Sequence, residues 1–200
     1  MACYLFTANI TGHAAGFSQH VLAGRWLEML LALAALAMFF GGSFTASFII
    51  QTFAYKGNYK AFAIPFVVEI LVLAAIACWG MYGNDNIPLH TEMVAGALLF
   101  CMGLQNSSVT AITGTVKSSH LTGLITDLGN ETAQWVKATD LVKKGNLSKN
   151  LHLRFSILGA YITGGIAGGI AFVEFDYGAF LCIAAIILIL LIIDLTMKDQ

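Results

Sequence analysis

Residues 101–131 read CMGLQNSSVTAITGTVKSSHLTGLITDLGNE. The run opens as an apolar span that carries two adjacent amides, Gln105 and Asn106, where hydrocarbon should be. It breaks at Gly114, crosses the short polar bridge TVKSSH, and restarts at Leu121-Thr122-Gly123 as an amphipathic helix. A weaker copy of that restart, Asn9-Ile10-Thr11-Gly12-His13, lies near the other end of the chain. The stretch therefore predicts a membrane protein built from two related halves.

Composition agrees. The chain is 58% hydrophobic and only 10% charged, far from the balance of a soluble globular domain. Apolar runs of about 20 residues recur along its length, as helical crossing of ~30 Å of hydrocarbon requires. A chain of 200 residues cannot hide several such helices in a soluble core. The four cysteines, Cys3, Cys78, Cys101 and Cys182, are scattered in apolar segments and read as small hydrophobes, not as a metal site or disulfide framework. The N-terminus has no basic region before its apolar residues, so it does not read as a signal peptide.

Taken in order, residues 1–8 are too short to span, and Asn9 to Gly24 shows helix-like spacing at Ile10, Ala14 and Phe17. Span A is expected over Trp26–Thr52, with small residues Gly41, Gly42, Ser43, Thr45, Ala46 and Ser47 at its centre for close helix approach. The loop AYKGNYK leads to span B, Ala61–Tyr82, which holds Pro65 and a lone Glu69. GNDNIPLH is a turn, and span C runs over Thr91–Gly114. In the amphipathic helix after it, Leu121, Leu124, Ile125 and Leu128 share one face, with Trp135 as an interfacial anchor. KATDLVKKGNLSKN reads as a basic surface linker. Span D, Leu151–Phe172, carries Gly164-Gly165 and Gly168-Gly169; VEFDYG and span E, Ala179–Thr196, close the chain.

The halves correspond. Thr11-Gly12 and Thr122-Gly123 each open a short amphipathic stretch, followed by a span with a central diglycine and then one more span. The second half, 91–196, has span C in front of its Thr-Gly; the first half, 1–82, has only a short tail there. Symmetry thus predicts a further helix ahead of Met1. The fold class expected is an all-α polytopic membrane protein within a single membrane domain, 1–200: five transmembrane helices from a six-helix plan of two inverted three-helix repeats. Alternating loops place Lys56, Lys60, Lys117, Lys137, Lys143, Lys144, Lys149, Arg154 and Lys198 on one side, and Arg25 with Asp85, Glu174 and Asp176 on the other. The positive-inside rule makes the first side, with the C-terminus, cytoplasmic.

FTANITGH near the start, MGLQNSSV in span C and TVKSSHLTGLITDLG after it resemble the YoaK-type bacterial membrane family, domain of unknown function 1275. The resemblance covers essentially the whole chain. It implies a bacterial cytoplasmic (inner) membrane protein of about six spans, and it brings no activity to carry over. The chain departs from the family at its N-terminus. The family's first span, which commonly holds an acidic residue before a TGN-like motif, is absent, and His13 stands where Asn is usual.

Glu69 lies about eight residues inside span B. An ionisable group at that depth points to a substrate or proton site, with a helix-gluing hydrogen bond as the plain alternative. Gly103, Asn106, Thr110 and Thr113 follow one small, polar stripe of span C with Gln105 at its edge; the stripe could line a cavity or bond to a neighbouring helix. The Thr11-Gly12 and Thr122-Gly123 restarts would present free amides to an anion, or simply turn the chain. His13 and His120 beside them, without a partner at ligand spacing, read as structural. The diglycines read as packing devices. HExxH, GxSxG and GxxxxGK[ST] are all missing from the sequence, so no catalytic residue, cofactor or metal is expected and the chain is not expected to be an enzyme. A small transporter or permease-like protein is the leading expectation, and a non-transporting membrane subunit or scaffold the alternative. The partners expected are the lipid bilayer, a small molecule or ion, and a second copy of the chain, but no nucleic acid.

Overall fold

The structure is a computed structural model that describes residues 10–54, 59–82, 90–114 and 121–198. Residues 1–8 and Asn9, the middle of the first loop, nearly all of the GNDNIPLH turn, and the TVKSSH bridge with Lys117 and His120 lie outside the described residues. Among those described, seven α-helices and two 3-10 turns carry the fold and no strand occurs. They are α1 Ile10–Leu22, α2 Trp26–Phe53, α3 Ala63–Tyr82, α4 His90–Thr113, α5 Leu121–Lys137, α6 Leu141–Phe175 and α7 Ala179–Lys198.

The chain is an all-α membrane protein. Four stretches are long and apolar enough to cross a bilayer: Trp26–Phe53, Lys60–Tyr82, His90–Thr113 and Leu141–Met197. The last has 57 residues and joins α6 and α7 through the 3-10 turn Asp176–Gly178. The five expected spans map onto α2, α3, α4, α6 and α7. Large apolar side chains lie exposed along these helices, among them Phe40, Phe44 and Phe48, which stack at 6.2 and 5.9 Å on one face of α2. Such continuous apolar surface has its natural solvent in lipid.

The chain forms two compact units, one with α1–α4 and α7, the other with α5 and α6 up to Glu174. In the first, α2 lies against α4, α1 against α2, and α3 against both α4 and α7. Glycine makes the α2–α4 contact. A Cβ on Gly42 would overlap the Phe100 carbonyl oxygen, and one on Gly103 would overlap the Phe39 carbonyl oxygen. Two backbones can meet this closely only without side chains between them. Ser43 Oγ donates to the Gly103 carbonyl at 3.2 Å, and the Ser47 and Ser107 hydroxyls bond at 2.8 Å. The core of α3, α4 and α7 is built on Leu73, Cys101 and Ala184. At one end of that core, Trp79, His90 and Tyr177 pack edge to face, and the Tyr177 ring lies on Gly80.

Breaks follow local chemistry. Gly24 (φ +66°) ends α1: Arg25 N–H donates to the His20 carbonyl and Gly24 N–H to that of Val21. This is a Schellman stop, and it lets α2 begin at once. Gly114 (φ +78°) ends α4 at the break expected there.

The second unit corrects one expectation. The supposed linker KATDLVKKGNLSKN is mostly helix, because α6 begins at Leu141. Asp140 caps it, its Oδ1 accepting the Val142 N–H at 2.9 Å, and lysine and leucine are good helix formers. Charge along this run does not mark where the helix ends. The α6 glycines also behave unlike those of α2. A Cβ on Gly164, Gly165, Gly168 or Gly169 would meet no atom within 4 Å.

Candidate functional site

Glu69 lies on the buried face of α3 together with Pro65, Leu73, Ile76 and Ala77. These positions recur every three to four residues and turn the carboxyl inward. The residue is 5% exposed. Its Oε2 is buried and has no hydrogen-bond partner among the described residues. Across the interface, Cys101 of α4 belongs to the core that α3, α4 and α7 share. A buried carboxyl with a free oxygen is costly, since its ionised form has lost water and gained nothing in return. It is the most polar buried group described in this structure.

The candidates on α4 fall on two faces of that helix. At 100° per residue, Gln105 stands one turn beyond Cys101 and Ser108 two turns beyond, so α4 presents both on the face that carries Cys101. Gln105 is half-buried, and Ser108 Oγ donates back to the Leu104 carbonyl at 2.8 Å. Gly103 faces α2, with Asn106 and Thr110 one and two turns further along the same side. Thr110 Oγ1 donates to the Asn106 carbonyl at 2.7 Å and Thr113 Oγ1 to the Val109 carbonyl at 2.7 Å. The stripe of Gly103, Asn106, Thr110 and Thr113 is therefore distinct from the Glu69 face, and its Gly103 end is filled by α2.

Thr11 and Gly12 lie in the first turn of α1, exposed, one residue after its start at Ile10. Thr122 and Gly123 hold the same register in α5, which starts at Leu121; Thr126 Oγ1 donates to the Thr122 carbonyl at 2.9 Å. His13 is half-buried on α1.

A second polar cluster escaped the sequence reading. Arg154 of α6 donates from Nε and Nη2 to both carboxylate oxygens of Glu131, at 2.9 and 3.1 Å, and from Nη1 to Asp127 at 2.8 Å. The Arg154 side chain is 28% exposed and the Glu131 side chain 15%, so the fork is partly shielded from water. The signal was present: an acid pair at i and i+4 on an amphipathic helix, with a lone arginine in the next apolar one. Removing the arginine strands Glu131. Arg154→Ala should cost roughly 1–3 kcal/mol, the range for a buried polar group left unpaired. Thermal melting in detergent measures it. Arg154→Leu combined with Glu131→Gln should recover more than half of the loss; no recovery would mean that the pair does not couple α5 to α6.

The family model described as "Protein of unknown function (DUF1275)" matches residues 1–193. No curated protein and no solved structure matches the chain.

Proposed function

We propose that the chain, which belongs to the DUF1275 family, is a small transporter or permease-like protein of the bacterial inner membrane. In this reading Glu69 binds the transported ion or the proton coupled to it, and no residue is catalytic. The observation that carries the proposal is the buried Glu69 carboxyl, whose Oε2 lacks a partner among the described residues. Ionisable residues within membrane-spanning helices commonly mark ion pathways and proton relays. Gln105, on the Cys101 face of α4, is the candidate for a second polar wall. The repeated Thr-Gly restart supports an inverted-repeat plan, which secondary transporters share.

The test is reconstitution of the full chain in liposomes with an internal pH-sensitive dye, challenged with small cations, anions and organic acids. A flux above empty vesicles supports the reading. No flux for any solute would favour a scaffold, a reading that the hydroxyls of Ser108, Thr110 and Thr113, all turned back onto their own helix, support. Orientation is separately testable. Reporter fusions after Asn146 and Gln200 should read cytoplasm and one after Asn84 the outside; Asn84 and Asn146 on one side would end the inverted-repeat argument.

A further inference from the structure

The turn between α5 and α6 borders an open surface cavity of about 300 Å³, lined by Ala133, Gln134, Lys137, Ala138 and Lys143. That is room for on the order of ten waters. Helical rotation puts Ala133, Gln134 and Lys137 opposite Leu121, Leu124 and Leu128, so the cavity opens on the polar face of α5.

The lining holds two cations and no acid. Of the nearby carboxylates, Asp127 and Glu131 bond Arg154 and Asp140 Oδ1 accepts the Val142 N–H; none of the three lines the cavity. The Lys144 ammonium lies 4.6 Å from the centre of the Trp135 ring. Lys137 and Lys143 are left in one cavity with no ion pair among the described residues. Two cations sharing a cavity repel each other until an anion joins them. The walls between them are two alanines, which leave space, and a glutamine amide, which can donate.

We propose that this cavity binds a phosphate group, with Lys137 and Lys143 as its two cationic contacts and the Gln134 amide as a neutral donor. Two separate point charges suit a rounded, multi-oxygen anion better than they suit a planar carboxylate, whose usual partner is an arginine fork. The group can arrive on a soluble phosphate compound or as the headgroup of an anionic lipid, since the turn adjoins an interfacial tryptophan and the apolar length of α6.

The test uses the full chain in nanodiscs. In neutral phosphatidylcholine discs, inorganic phosphate is titrated by calorimetry. In discs containing phosphatidylglycerol, the anionic lipid retained after detergent purification is counted by mass spectrometry. Lys137→Gln with Lys143→Gln should weaken phosphate binding about tenfold or more, or abolish the retained lipid. Lys149→Gln with Lys198→Gln, which removes the same charge elsewhere, should change either readout less than about threefold. A specific effect in the first arm names a soluble ligand, and in the second a lipid. Equal losses in both double variants, or no specific effect in either arm, would overturn the proposal.

Discussion

Gly42→Ala should separate α4 from α2 and sharply lower the thermal stability of the first unit. The new methyl group would overlap the Phe100 carbonyl oxygen and reach 3.0 Å from Leu104 N, and both obstacles are backbone. Neither can swing aside as a side chain would, so the helices must move apart. Forced separation of a packed contact costs roughly 1–3 kcal/mol. The Ser43–Gly103 and Ser47–Ser107 bonds stretch with it, each worth ~0.6–1.7 kcal/mol between membrane helices. Alanine is the better helix former by about 1 kcal/mol, which offsets only part of the loss. Gly165→Ala makes the same chemical change where nothing lies within 4 Å, so the propensity gain should stand alone. The two variants should thus shift the melting temperature in opposite directions. Equal tolerance at both sites would show that the α2–α4 approach is not as close as described.

The second large effect is functional. Glu69→Gln keeps the shape of the neutral acid and removes its ability to exchange a proton. Folding and melting temperature should change little, because the side chain is already buried in close packing on α3. Any proton-coupled flux should fall to the level of empty vesicles. A variant that kept the full flux would remove Glu69 from the transport path, whatever the protein then proved to carry. Gln105→Ala, on the Cys101 face of α4, should lower flux in part; Asn106→Ala, on the α2 side, should act mainly on stability.

Much of this architecture was legible before any coordinates. The membrane class, helices α2, α3, α4 and α7 and the stop at Gly114 follow from apolar length, glycine punctuation and periodicity. Those are local properties of a chain. The start of α6 was hidden because hydropathy reports the solvent around a helix and not the helix itself, so Lys143, Lys144 and Lys149 read as a loop. The Arg154 clamp was hidden because its partners lie 23 and 27 residues away, at a distance that only the fold closes. The two diglycines look alike in sequence. Only the neighbours show that Gly42 meets a helix backbone while Gly165 meets open space. The candidate residues of α4 needed the same information, since the 100° step between neighbouring residues divides Gln105 from Asn106 between two faces.

The length of α6 has a mechanical side. Its 35 residues extend about 52 Å at 1.5 Å per residue, against ~30 Å of hydrocarbon. The first half, rich in leucine and lysine and clamped at Arg154, is a stiff shaft. Five of the six glycines fall between Gly159 and Gly169, where each weakens the helix by about 1 kcal/mol relative to alanine. A rod that is stiff at one end and soft in the middle bends at a fixed place. Force applied at the Asp140 turn would therefore reach the centre of α6 as rotation about a glycine flexure, not as gradual curvature along its length.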